Sequence, residues 1–331
     1  MALAFCALAL PVYAQDSADG SEVPYDSAFV EVDGARLHYL DFGGDGLPLL
    51  LTAAPWPAGI WKGLAPRFTD HHRVLAITPR GAPPSEGEEG GYVRSANDIL
   101  AVLDALGIER AVLIGNNHPA QILIYIAEHY PDRVAGLVFL SPASEAGLED
   151  VDDPSGAMYM VERGARSVQG GDPDEAGTWE PEDFYRPKYF AADTATLAIP
   201  ALTFVTLQGT RGMEHSYYPL EIAALVGAGH LTIPDSISQT YFEQLAVDEA
   251  MQAEVRAAWD SVFAPAMVAN ERAFVRAFGD YLRIVRLDVP LMNGVPVVTG
   301  YEFRDAPDLI EPHLRRFLGE LRDVYGLDAR R

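Results

Sequence analysis

The sequence has one cysteine, half as many basic residues as acidic ones, and no apolar run long enough to cross a bilayer. Each shortage removes a class of function. The cysteine, Cys6, lies in an N-terminal stretch that reads as a cleaved signal, so a mature chain would carry none. Disulfide staples, thiolate nucleophiles and cysteine metal sites are excluded together. Phe5 stands before Cys6 where a small residue is expected, which argues against a lipid anchor there. Lys and Arg number 24 against 48 Asp and Glu, a formal net charge of −24 with histidine neutral. A surface that acidic repels phosphate backbones and anionic lipid, so nucleic acid is not an expected partner and the charge reads as an aid to solubility. Neither H-E-x-x-H nor carboxylates at EF-hand spacing occur, so neither a metal nor a cofactor is expected.

Core material is ample. With 49% hydrophobic and 10% aromatic residues over 331 positions, the chain can bury a large core, and it reads as a single α/β domain. Residues 1–14 carry no charge and run apolar through Leu10, with Val12 and Ala14 as small residues before a cut at Gln15. The basic start of a signal is missing, yet the pattern predicts export, to the periplasm or outside, with no membrane-spanning segment in the mature chain. Residues 15–27 are polar and acidic and read as a flexible leader, with the domain occupying 28–331.

Within that domain the pattern alternates. Residues 29–32 and 36–39 flank Asp33-Gly34, the two-residue signal of a tight hairpin. Apolar runs at 47–52, 73–78, 110–114 and 134–140 read as buried strands, with helix-period segments at 93–106 and 121–129 between them. Strands and helices in that alternation predict a mostly parallel, doubly wound sheet. Further on, 199–208 reads as a strand, 236–278 as helices, 281–287 as the last strand and 307–321 as a closing helix.

Residues 28–142 resemble the N-terminal half of the α/β-hydrolase family in the order L-H-Y-L-D-F-G, L-P-L-L-L, H-R-V-L-A-I-T-P-R-G, D-A-L-G-I-E-R-A-V-L-I-G and H-Y-P-D-R-V-A-G-L-V-F-L. The resemblance implies that fold with a cap inserted at about 142–200, and chemistry at a strand-to-helix turn of form G-x-Ser-x-G. Here the turn reads Gly115-Asn116-Asn117-His118-Pro119, so Asn117 takes the nucleophile's place and an amide is no nucleophile. Pro119 can open a helix, but it also biases His118 away from the helical region and so threatens the oxyanion donor. The loop that carries His-Gly in the family is Ala53-Ala54-Pro55-Trp56-Pro57, and D-x-R-G-H-G-x-S is reduced to Arg80-Gly81 and Ser85. The acid-equivalent region offers Glu214, and the histidine-equivalent region at 289–294 offers Asn293 and no histidine.

Several histidines compete for the empty role. Gly227-Ala228-Gly229-His230 resembles the family's catalytic G-A-G-H but falls too close to the preceding strand, and a polar loop histidine is the plainer reading. His215, beside Glu214, is either a pocket residue or a solvated loop residue. His38, His71, His72 and His129 fall on scaffold positions, and His313 on the solvated face of the last helix. His118 borders the elbow, where contact with a ligand and a structural role at the helix start are equally open. The candidate ligand-binding set is therefore Ala54, Pro55, Trp56, Asn117 and His118, roofed by cap aromatics among Tyr159, Trp179, Phe184, Tyr185, Tyr189 and Phe190, each of which is also ordinary cap core. Two functions fit: an exported pseudoenzyme that binds a small apolar molecule or a protein partner of unknown identity, or an enzyme, ester hydrolase or non-hydrolytic isomerase or lyase, rewired around Asn117 and Asn293.

Overall fold

The computed structural model describes residues 24–53, 56–88, 91–116, 119–140, 189, 195–205, 218–229, 236–258, 264–287, 291–292, 295–296 and 306–325. The expected signal at 1–14 and nearly all of the expected cap lie outside these residues. Asp33 and Gly34 both take positive φ, 46° and 73°, which turns β1 (Asp26–Val32) tightly onto β2 (Ala35–Asp41) with Val32 facing Ala35. β1 begins inside the stretch expected to be a flexible leader. Tyr25 sits against Phe42, and Lys62 Nζ donates to its hydroxyl, which anchors the chain from there on.

β3 (Leu49–Thr52), β4 (Val74–Ile77), β5 (Ala111–Asn116) and β6 (Val134–Leu140) are buried along their whole length. With β7 (Ala201–Val205) and β8 (Leu282–Arg286) they complete an eight-stranded sheet of order β1-β2-β4-β3-β5-β6-β7-β8, parallel from β4 onward. Alternation along each strand feeds two cores. Leu50, Leu75, Leu113 and Leu137 face one side, packed by α1 (Tyr92–Ala105), α2 (Pro119–His129) and α6 (Ala264–Phe278). Leu49, Leu51, Val112 and Ile114 face the other, packed by α7 (Pro307–Tyr325) through Ile310, Leu314, Phe317 and Leu321. Each such leucine stabilises the fold by about 1.5–3 kcal/mol.

The remaining helices are α3 (Tyr218–Gly227), α4 (Ser236–Leu245) and α5 (Glu249–Ala258). α3 was not foreseen: apolar nearly all round, it lacks the polar face that marks helical periodicity. It also explains the G-A-G-H segment. Ala228 N–H returns to the Ala224 carbonyl and Gly229 N–H to that of Val226, with Gly229 at φ 70°, so the glycines close a helix. Within the region searched for a catalytic histidine, β9 (Leu291–Met292) pairs antiparallel with β10 (Val295–Pro296), and the other residues of 289–294 lie outside the described ones. Among the described residues, no helix is long and apolar enough to cross a membrane, and no cluster of His, Cys, Asp and Glu could hold a metal ion.

Candidate functional site

The expected elbow lies between a strand and a helix that the structure describes. β5 ends at Asn116 and α2 opens at Pro119, whose missing N–H costs nothing in a first turn. Asn117 and His118, the two residues between, lie outside the described residues, as do Ala54, Pro55, Glu214, His215, His230 and Asn293. What the structure describes is the frame around them. Parallel register puts Thr52 of β3 beside Gly115 of β5, so the loop after β3 leaves the sheet next to the elbow. On the other side Asn116 is in register with Leu140 of β6. The buried Asn116 side chain donates Nδ2–H to the Leu140 carbonyl at 3.2 Å, tying two strand ends together below the turn. That contact gives Asn116 a structural part in a site where the sequence named it only as a neighbour.

The loop after β3 is braced from below. Trp56 N–H closes a turn on the Ala53 carbonyl, and Ala58 N–H donates to Thr78 Oγ1 at 2.9 Å. The Trp56 ring is half-buried and packs on the α7 side of the sheet. Thr78 in turn lies 2.8 Å from His38 Nδ1, and His38 Nε2 lies 3.0 Å from Ser27 Oγ. Burial pushes the His38 imidazole below its ordinary value, so it is neutral at pH 7. His72 is depressed for the same main reason, offset in part by its hydrogen bond to the Leu47 carbonyl.

The two remnants of D-x-R-G-H-G-x-S serve the scaffold. Arg80 grips Asp98 of α1 through two bonds, Nε to Oδ2 at 2.8 Å and Nη2 to Oδ1 at 2.7 Å, and Nη2 also reaches the Val32 carbonyl. Its guanidinium is held above its ordinary value chiefly by the Asp98 hydrogen bonds. Ser85 accepts the His38 N–H and donates to the Thr78 carbonyl, closing the loop after β4. His129 stacks on Tyr125 and His313 is exposed with an edge on Phe204, so both stay on the scaffold as expected. Tyr189, the one described aromatic of the expected cap region, packs against the core on the α2 side, its N–H on Glu128 Oε1.

One polar residue near the elbow was missed. Gln121 in the first turn of α2 is 1% exposed, and among the described residues neither its Oε1 nor its Nε2 has a hydrogen-bond partner. Burying an unsatisfied amide costs about 1–3 kcal/mol. The signal was present as a lone amide in the apolar run P-A-Q-I-L-I-Y-I-A.

Comparison with known proteins agrees with this frame. Residues 49–253 match the family model described as alpha/beta hydrolase fold. Among curated proteins, epoxide hydrolase 1 of Caenorhabditis elegans is 28% identical over 120 residues, 34% of this chain and 30% of the relative. The 2-heptyl-3-hydroxy-4-quinolone dioxygenase of Rhodococcus erythropolis is 33% identical over 103 residues, 28% of this chain and 37% of the relative. The matched part thus spans about a third of the length of either relative. Among solved structures, Est816, an N-acyl homoserine lactone degrading enzyme, superposes with a TM-score of 0.52 at 19% identity, covering 87% of this chain and 99% of its own, which shows a shared fold.

Proposed function

The chain belongs to the α/β-hydrolase fold family, and we propose that it is a non-hydrolysing member, an exported protein that binds a small, largely apolar molecule at the elbow. The observation that carries the proposal is the identity of the residue between β5 and α2: Asn117 stands where the family's chemistry needs a nucleophile. An amide neither attacks an ester nor is activated by a neighbouring base. Two further features support the reading. Region 289–294, which flanks and includes β9, holds no histidine, and the loop after β3 carries Pro55 and Pro57, each of which removes an N–H that an oxyanion hole would use. A scaffold that keeps strand ends and elbow but has lost nucleophile, base and oxyanion donors retains a binding cleft without hydrolytic chemistry. The uncharged N-terminal stretch with small residues at positions 12 and 14 supports export.

A second reading is favoured by the relatives' names. An epoxide hydrolase and a dioxygenase both resemble this chain, so the fold also supports chemistry other than ester hydrolysis, and Asn117 would then orient a substrate. The test is turnover of p-nitrophenyl butyrate, p-nitrophenyl octanoate and styrene oxide by the mature chain, with Asn117→Ala as control and intact mass confirming that Asn117 has not deamidated. The expected result is no turnover above the control, together with thermal shifts from apolar ligands that Asn117→Ala alters. Turnover that vanishes in Asn117→Ala would overturn the non-hydrolysing assignment.

A further inference from the structure

A hydrogen-bonded chain runs from the edge of the sheet to the loop beside the elbow, and its centre is a titratable ring. Ser27 on β1 is exposed, and its Oγ lies 3.0 Å from His38 Nε2. His38 Nδ1 lies 2.8 Å from Thr78 Oγ1, which also accepts the Ala58 N–H at 2.9 Å. Thr78 and Ala58 are fully buried. Among the described residues the Thr78 hydroxyl proton has one acceptor in reach, His38 Nδ1. The neutral ring therefore accepts from Thr78 at Nδ1 and donates from Nε2 to Ser27, leaving the Thr78 oxygen free to hold Ala58.

We propose that His38 is a proton-sensitive positioning residue, whose protonation weakens the Thr78–Ala58 hydrogen bond and so loosens the start of the 3-10 turn Ala58–Trp61 that follows β3. An imidazolium donates from both nitrogens. Thr78 Oγ1 must then accept two donors at once while its own proton loses its acceptor, an unsatisfied buried hydroxyl. The Ala58 N–H is the weaker competitor against a charged donor. Its loss frees the start of the 3-10 turn Ala58–Trp61 and with it Trp56, whose N–H closes on Ala53.

Among the described residues no charged group takes part in the ring's own hydrogen bonds. On β1 the charged groups are Asp26 and Glu31; on β2, Arg36 and Asp41; after the 3-10 turn, Lys62; after β4, Glu86. Arg36 lies over the Phe29 ring and pairs with Glu31 at 3.7 Å and Glu86 at 3.5 Å, Asp41 pairs with Arg73, and Lys62 bonds Tyr25. Phe29 itself tilts against the His38 ring at 5.4 Å between centroids.

The consequence for ligand binding rests on the elbow reading above, but the switch itself is tested without ligand. Amide exchange at Ala58 in the full chain, corrected for intrinsic rates, is followed from pH 8 to pH 5 alongside the NMR titration of the His38 ring. Ala58 exchange is expected to quicken about five- to tenfold as that ring protonates, roughly the worth of one hydrogen bond, while amides in α7 stay protected. His38→Asn, which keeps an acceptor for Thr78 but does not titrate, should exchange slowly at every pH. Thr78→Val should exchange fast at every pH, and Thr78→Ser should restore the wild-type profile. Ala58 exchange that ignores the His38 titration, or a pH response that survives in His38→Asn, overturns the proposal. If His38→Asn fails to fold, Thr78→Val against Thr78→Ser decides it by the same readout.

Discussion

A single buried ion pair decides whether the loop after β4 stays in place. Arg80 and Asp98 have side chains 3% and 7% exposed, joined in bidentate geometry. Taking both ions out of water costs several kcal/mol each, and the attraction offsets this only because both donors and both carboxylate oxygens are matched. The pair is therefore worth little compared with an apolar substitute, but losing one partner strands a charge. Asp98→Asn is expected to lower the unfolding free energy by about 3–5 kcal/mol in urea titrations, whereas Arg80→Met with Asp98→Leu should cost markedly less than either single change. Additive losses would show that the two residues do not act as a pair. The same residue scale sets what the sequence could reveal of the site. The strand end at Asn116 and the helix start at Pro119 were legible because a strand followed by a helix is a contiguous pattern. The His38–Thr78 contact joins residues 40 positions apart, and Gln121 shows in the sequence as a lone amide in an apolar run, whose meaning follows from its burial.

Among the elements, the strands were the most legible, because a parallel strand covered on both faces is an unbroken apolar run, as in Leu49–Thr52 and Val74–Ile77. α3 hid for the opposite reason: a helix that is apolar nearly all round has no period to read. The Asp33-Gly34 turn was legible and the Gly44 turn was not read, and these two turns that flank β2 separate two kinds of obligation. Gly34 adopts φ 73° in the open, with nothing within 4 Å of the Cβ it lacks. Gly44 adopts φ 88° in the connection from β2 to β3, and a Cβ there would stand 2.0 Å from the His72 carbonyl oxygen and 2.6 Å from that of Thr69. Gly34→Ala meets only the left-handed penalty, about 1–2 kcal/mol. Gly44→Ala adds a clash with backbone that cannot rotate away, so it must displace the segment that bonds Leu47 to His72 and Gly43 to Val74. Thermal melts should show Gly34→Ala as a modest loss and Gly44→Ala as a loss at least about twice as large, and equal losses would mean that the connection yields easily.

Over the whole molecule, charge works against the fold and salt should help it. A net charge of −24 on 331 residues places many carboxylates within each other's fields, and compaction raises that repulsion. Attractive pairs oppose it, most densely where α7 docks: Arg67 meets Asp308 and Glu311, and Arg315 meets Glu311 and Asp70. Arg315 and Arg67, in that order, hold the Glu311 carboxyl below its ordinary value. Salt screens both kinds of interaction, so the sign of its effect reports which one is larger. Surface pairs are worth about 0–1 kcal/mol each and two of these share the Glu311 carboxylate, while acidic residues outnumber basic ones two to one in the sequence. The Debye length falls from about 10 Å at 0.1 M to about 3 Å at 1 M, which removes repulsion acting across the surface before it removes contacts at bonding distance. The unfolding midpoint in urea should therefore rise as NaCl increases from about 0.02 M to about 0.5 M. Glu311→Gln should lower the midpoint at low salt by roughly 1 kcal/mol equivalent, with the difference from wild type narrowing as salt is added. A midpoint that falls with salt would place the balance with the α7 ion pairs and make them, rather than the apolar face of that helix, the main reason it stays docked.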